Sequence, residues 1–304
     1  MPLHTDLRPT TLDEFVGNET VITQFKAHLE ETNPNRAILF VGDSGCGKTT
    51  LARILADKID ARGTERHELN TSDFGGIEMV REIRQKSMYR PAHGTNTWWL
   101  LDECHRLSPA AQEAILKLLE DPPPNTWITL ATTDPQKLKK TLRRRCTEFA
   151  LKPLGDYDME SFLRGVCAKQ RKRIPQEVLQ RIMHDALGSP GVALKILGQV
   201  IHLDRDEMLQ AATQAAEREN TVIELCRALV KNKPWPTIAA ILRGLEDEDG
   251  ESVRRVVLEY FRKILIDGDE AAFAVMDCFR DYFYEGPVGK AQLVMACYEA
   301  MQTE

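Results

Sequence analysis

The stretch that decides the fold is Ala37-Ile38-Leu39-Phe40-Val41-Gly42-Asp43-Ser44-Gly45-Cys46-Gly47-Lys48-Thr49-Thr50. Its five leading apolar residues suit a buried strand. From Gly42 onward it fits G-x-x-x-x-G-K-[ST] at every fixed position, and a helical pattern follows over residues 50–58. Glycines let the backbone fold tightly enough for successive N–H groups to point at one anion. The helix behind them adds its positive end. Asp43, Ser44, Gly45, Cys46, Gly47, Lys48, Thr49 and Thr50 are therefore expected to cradle the phosphates of a nucleotide. Lys48 has the reach for the β- and γ-phosphates, and the Thr49 hydroxyl suits magnesium.

Outward from this stretch, apolar strands alternate with helical patterns. A helix with apolar positions Val21, Ile22, Phe25 and Leu29 precedes it, with Asn18 as its expected cap. A short strand is expected near Glu68-Leu69-Asn70 and a helix over residues 77–88. A strand over residues 97–102 ends in an acid. Ser108-Pro109 has the cap-and-proline grammar of a helix start, and Asp121-Pro122-Pro123-Pro124-Asn125 ends that helix. Residues 127–131 and 147–151 supply two more strands. This alternation implies an α/β fold with a parallel sheet covered on both faces. From Lys152 the strands stop. The expected domains are a nucleotide-binding domain (1–152), a small helical lid (153–203) and a helical C-terminal domain (204–304). Val253, Val256, Val257, Tyr260, Phe261 and Ile264 form one apolar stripe, expected to be core of that last domain.

Composition narrows the class. The chain has 304 residues, 42% hydrophobic and 28% charged, with no apolar run of membrane-spanning length, which points to the cytosol and to no membrane partner. Its seven cysteines form no C-x-x-C pair and no metal-ligand spacing, so neither a zinc site nor a disulfide framework is indicated. Net charge is −6 and unevenly spread. Residues 201–304 carry 12 Lys and Arg against 20 Asp and Glu, whereas residues 1–200 carry 28 against 26. A nucleic-acid partner would meet the first two-thirds, where the clusters around Lys137, Arg143 and Arg171 lie.

Hydrolysis needs more than a cradle. Asp102-Glu103 closes an apolar strand about fifty residues past the loop, and strand ends of this kind face the ligand crevice. Asp102 is placed to hold magnesium and Glu103 to polarise the attacking water. Thr132-Thr133-Asp134 ends the next strand, where a hydroxyl would stand beside the γ-phosphate. In Arg143-Arg144-Arg145-Cys146, an arginine reaching a neighbouring subunit's nucleotide would stabilise the transition state.

Together these motifs resemble the AAA+ ATPase subunits of DNA-polymerase sliding-clamp loaders over roughly residues 5–200. Arg8-Pro9, followed by Leu12 to Glu19, is similar to the segment that wraps the adenine there, which implies contacts from Arg8, Pro9 and Val16. Asp102-Glu103-Cys104-His105 is similar to the D-E-x-H form of the bacterial subunits. The helix after it places Gln112 at the family's inter-subunit coupling glutamine. Residues 130–138 resemble its sensor strand, which gives Thr133 the sensing role. Arg144-Arg145-Cys146 stands for Ser-Arg-Cys, so the resemblance makes Arg145 the arginine finger that acts in trans. Three departures stand out. Leu7 replaces a tyrosine, Arg144 replaces the serine, and Gly191 sits where active subunits carry the sensor-2 arginine, with Lys195 one turn on.

What the resemblance implies is an ATPase using ATP and Mg2+. It would act in a five-membered ring with further copies of itself and a distinct clamp-loader subunit, through a helical collar over residues 204–304. It would open a sliding clamp and place it on primer–template DNA, in the cytoplasm of a bacterium or phage-infected cell. Gly76, Arg81, Arg84 and Arg106, with the loop before Gly76, are candidate contacts to the duplex backbone. A poorly hydrolysing, stator-like subunit (the S-P-G form at Gly191) and another AAA+ DNA-remodelling motor are the alternatives.

Overall fold

The computed structural model describes residues 7–71, 76–219, 221–246, 248–266, 268–284 and 286–302. Contacts divide the chain into two compact units, Leu7–Asp158 and Met159–Glu304. Residues 159–203 of the expected lid fall in the second unit together with the expected collar.

The first unit is built on five strands: β1 (Ala37–Val41), β2 (Arg66–Asn70), β3 (Thr97–Asp102), β4 (Thr126–Thr132) and β5 (Thr147–Ala150). All pair in parallel in the order β2-β3-β4-β1-β5. β1, β3 and β4 are almost wholly buried, as their largely apolar runs require, and the two edge strands β2 and β5 are mixed. Five helices cover the sheet: α1 (Glu19–Glu30), α2 (Lys48–Lys58), α3 (Ile77–Lys86), α4 (Pro109–Glu120) and the single turn α5 (Lys140–Arg143). Alternate β1 side chains go to opposite faces. Ile38 and Phe40 meet Phe25 of α1 and Leu51, Ile54 and Leu55 of α2. Leu39 joins Ile83 of α3 and Ile115 and Leu118 of α4.

Because the sheet is parallel, every strand's C-terminal end lies along one edge. The register sets Val41 beside Thr132 and Asn70 beside Asp102. Ser108 caps α4 as expected, its hydroxyl accepting from the Ala111 N–H at 3.2 Å. Asn18 does not cap α1. It sits in the left-handed conformation (φ +54°), not the extended one a capping side chain needs. Its amide pairs instead with both backbone groups of Lys152 (3.0 and 2.8 Å), tying the start of α1 to the end of the sheet.

The second unit is helical throughout its described residues. α6 (Asp156–Lys169) leads into it, followed by α7 (Gln176–Ala186), α8 (Pro190–Val200), α9 (Arg205–Glu219), α10 (Thr221–Val230), α11 (Trp235–Arg243), α12 (Gly250–Ile266), α13 (Ala271–Cys278) and α14 (Pro287–Ala300). The α12 stripe is core: Val253, Val257, Tyr260 and Phe261 are buried, and Val256 and Ile264 pack against them. Two charged clusters are buried here. Asp185 of α7 accepts from Arg227 of α10 (2.5 Å) and Arg181 (2.8 Å), and Arg227 also donates to the Thr213 carbonyl of α9. Glu251 of α12 accepts from Arg254 (2.6 Å), Arg255 (3.1 Å) and the Phe283 N–H (3.0 Å). Burial alone would raise the Glu251 carboxyl, but these donors outweigh it and hold it below the usual glutamate range.

Candidate nucleotide-binding site

The phosphate loop leaves β1 at Gly42 and enters α2 at Lys48. Gly47 has φ +106°, and a Cβ there would lie 2.6 Å from the Phe15 ring. Only glycine fits that close approach. Phe15 thereby seats the leading segment on the loop, and Arg8, Pro9 and Val16 are half-buried in the same segment. Lys48 is buried, its ammonium donating to the carbonyls of Gly42 (2.8 Å) and Asp43 (2.9 Å). The loop is curled around its own lysine, which sets the cation where an anion in the cradle would meet it. Cys46 is buried beneath the loop, and burial pushes its thiol up, away from the reactive thiolate.

Thr49, in the first turn of α2, donates its hydroxyl to Asp102 Oδ2 at 2.9 Å. The other Asp102 oxygen accepts the Glu103 N–H at 3.0 Å. A hydroxyl and a carboxylate converging beside a phosphate cradle are hard oxygen donors of the kind magnesium selects, so the residues present fit that ion. Glu103 turns out of β3 in the left-handed conformation (φ +52°), which swings its carboxylate away from that of Asp102. There it lies 3.3 Å from the Thr133 hydroxyl at the end of β4. His105 Nδ1 is 3.4 Å from the same carboxylate and 3.1 Å from the Thr132 hydroxyl. Burial lowers the pKa of His105, against the pull of Glu103, and favours the neutral ring.

The structure thus gathers Lys48, Thr49, Asp102, Glu103 and Thr133 at one edge of the sheet. Arg145 stands at the other. It precedes β5, and its guanidinium donates to the Thr141 carbonyl (2.9 Å) and to Glu120 (3.3 and 3.4 Å). With Asn33, Asn35, Arg36 and Leu119 it lines an open cleft of about 430 Å³. Leu151, at the far end of β5, bonds to Val41 next to Gly42. Six residues of extended chain, roughly 20 Å, separate Arg145 from its own phosphate loop. Gln112 is buried. Its amide nitrogen lies 3.2 Å from the Leu107 carbonyl and its oxygen accepts the Lys139 N–H at 3.0 Å, fastening α4 to the segment leading to α5 and Arg145.

Gly76 opens α3, Arg81 is paired with Glu78 (2.6 Å), and Arg84 and Arg106 are exposed; none of these is hydrogen-bonded to the phosphate loop. The candidate DNA loop before Gly76 lies outside the described residues. Gly191 is half-buried in the first turn of α8, and Lys195 is exposed. Sequence reasoning missed Thr71 and Phe15, and met His105 only as a motif letter. Strand ends at this edge were the available signal for Thr71.

Fold and site together define a phosphate-loop nucleotide-binding domain on a parallel α/β sheet, continued by a helical region. Its backbone is similar to the Thermotoga maritima RuvB Holliday junction branch migration motor (TM-score 0.58, 22% identity, covering 74% of this chain and 79% of that one). At that identity the likeness is one of fold. Residues 64–155 match the family described as DNA polymerase III, delta subunit. The chain is similar over most of its length to proteins named DNA polymerase III subunit gamma/tau. The Mycobacterium tuberculosis protein is 29% identical over 312 residues, covering 92% of this chain and 54% of that protein. The Escherichia coli tau subunit is 32% identical over 272 residues, covering 79% and 42%. The chain therefore spans about half the length of these relatives.

Proposed function

We propose that this chain is an ATPase subunit of a sliding-clamp loader, coupling ATP binding and hydrolysis to opening a clamp and placing it on primer–template DNA. One observation carries the catalytic part: Thr49, Asp102, Glu103 and Thr133 meet beside the phosphate loop at 2.9 to 3.3 Å. Lys48 and the loop N–H groups hold the triphosphate, Thr49 and Asp102 hold magnesium, Glu103 takes the proton of the attacking water, and Thr133 orients it. Bound magnesium supplies charge neutralisation at the phosphates. Arg145 serves a neighbour's nucleotide, since its own is a strand's length away.

The partners are the clamp, the DNA, and further subunits, copies of this chain among them, in a five-membered ring in the cytoplasm. The homologues' names support replication as the setting. The helical unit supports assembly through α14, which buries Leu293, Ala296 and Cys297 yet also exposes Val288, Met295 and Tyr298. Apolar side chains left exposed on a helix whose other face is already buried suit cover by a neighbour. Gly191 favours a second reading, a structural subunit that binds ATP and turns it over poorly.

The test is steady-state ATPase of the chain assembled with its partner subunits, with and without clamp and DNA. Clamp- and DNA-stimulated turnover that Glu103→Gln lowers by about 10²–10⁴-fold is expected, as is loss of nucleotide binding in Lys48→Ala. ATP binding without stimulated turnover would support the structural reading. Turnover indifferent to Glu103→Gln would remove the catalytic assignment, and stimulation by DNA but never by clamp would favour another AAA+ motor.

A further inference from the structure

Glu103 needs to be held as well as present. Its backbone occupies the left-handed region, which is strained for a residue with a side chain and persists only where neighbours enforce it. The enforcing group on the β3 side is Asp102, whose carboxylate accepts the Glu103 N–H. On the other side stands Thr71, one residue past β2. It is 2% exposed. Its N–H donates to the Asp102 carbonyl at 3.0 Å, continuing the β2–β3 ladder beyond the last strand pair. Its hydroxyl lies 2.6 Å from the Glu103 carbonyl oxygen and 3.0 Å from that of Asp102. One hydroxyl hydrogen thus ties down both peptide oxygens of the turn that aims the catalytic carboxylate at Thr133.

We propose that Thr71 is a positioning residue for hydrolysis: its hydroxyl fixes the Asp102–Glu103 turn, and with it the place of the Glu103 carboxylate. The inference rests on the ATPase function proposed above. Thr71 lines no phosphate and no metal position; it acts only through Glu103. A valine in its place keeps the shape and the N–H bond to the Asp102 carbonyl, and the Glu103 carbonyl keeps the Arg106 N–H at 2.9 Å, but both oxygens lose the hydroxyl that links them. The turn then relaxes toward ordinary backbone angles, and the carboxylate leaves Thr133. A displacement of this order at a catalytic base costs about 10- to 100-fold in rate.

The experiment compares Thr71→Val, Thr71→Ser and the double variant Thr71→Val/Glu103→Gln with the parent, each assembled with its partner subunits. Turnover, ATP affinity and melting temperature are measured, and crystal structures of parent and Thr71→Val are solved. Expected are a fall in kcat of at least tenfold in Thr71→Val with ATP affinity unchanged, rescue by Thr71→Ser, and no further loss when Glu103 is already glutamine. The crystal structure should show the Glu103–Thr133 bond broken. Thr71→Val turning over like the parent, or losing as much in the Glu103→Gln background, overturns the proposal. If the parent proves not to hydrolyse ATP, the catalytic function fails separately. The crystal structures then decide alone: a displaced Glu103 upholds the positioning role, and an unmoved Glu103 refutes it.

Discussion

The two edges of the same sheet are equipped differently. At the C-terminal edge, Lys48, Thr49, Asp102, Glu103 and Thr133 are bonded to loop carbonyls or to one another, a ready-made cradle and base. At the N-terminal edge, Arg145 leans on Glu120 across an open cleft, with 30% and 65% of the two side chains exposed. The ion pair is worth less than about 1 kcal/mol, and the remaining bond, to the Thr141 carbonyl, lies within the arginine's own segment, so nothing else among the described residues fixes the guanidinium across the cleft. One edge is preorganised and the other poised. A parallel sheet cannot bring them together within one chain, so the proposed role of Arg145 toward a nucleotide would take two chains in head-to-tail contact.

The largest expected effect tests that division directly. Arg145→Ala should leave ATP affinity of the isolated chain unchanged yet lower stimulated turnover of the assembly by about 10³-fold or more. Mixing Arg145→Ala with Lys48→Ala subunits should then restore part of the activity, because some interfaces pair an intact cradle with an intact arginine. Full turnover by Arg145→Ala alone, or no recovery on mixing, breaks the two-edge division.

A control comes from a charge that belongs to neither edge. Asp185 is fully buried between Arg227 and Arg181 in the helical unit. Removing one member of such a cluster strands the others, at about 3–5 kcal/mol. Asp185→Ala should lower the unfolding free energy of the helical unit by that amount, read as a lower urea midpoint at unchanged slope, while the nucleotide domain keeps its ATP affinity. If instead ATP affinity collapsed and stability held, the charge would belong to the site after all.

How much of this was written locally in the chain differs between the units in the same way. The apolar run Ala37 to Val41 and the glycines after it fix strand, loop and helix within a dozen residues, and Asp102-Glu103 and Thr133 follow from strand ends. Thr71 had only its place at a strand end to mark it, because its role depends on β2 lying beside β3, a pairing across about thirty residues of sequence. Asn18 read as a cap, but its side chain serves Lys152 far along the chain. In the helical unit, the sequence around Asp185, Arg227 and Glu251 carries no mark of their place. Only packing reveals that they are inside.

Glu251 supplies a smaller, pH-dependent effect. Its carboxyl is held below the usual glutamate range, so it adds stability that is present above the unfolded pKa of about 4.3 and lost as pH falls through the folded value. Glu251→Gln should cost about 1.5–3 kcal/mol at pH 7 and flatten the acid limb of the stability profile. An unchanged acid limb would mean the carboxylate titrates alike in both states.

The smallest expected effect lies at the site itself, at His105. Its ring is kept neutral chiefly by burial, with Lys137 and Arg106 acting the same way and Glu103 and Asp134 opposing them. Because the folded pKa lies below the unfolded value of about 6.5, the unfolded chain takes up a proton that the native ring refuses, and stability falls as pH drops below that value. One proton sets a ceiling of about 1.4 kcal/mol per pH unit. His67, stacked on Trp99 at 3.8 Å and also lowered by burial, contributes with the same sign. His105→Gln should therefore remove part of the slope between pH 6.5 and 5 and leave the rest to His67. It should also shift the acid limb of turnover to lower pH. Once protonated, the imidazolium 3.4 Å from Glu103 would pair with the carboxylate proposed to accept the water's proton, so a ring that cannot charge would keep that carboxylate available longer. A turnover profile unmoved by His105→Gln, measured where the protein remains folded, would place the histidine outside the catalytic edge and leave Thr133 as the side chain that orients Glu103 there.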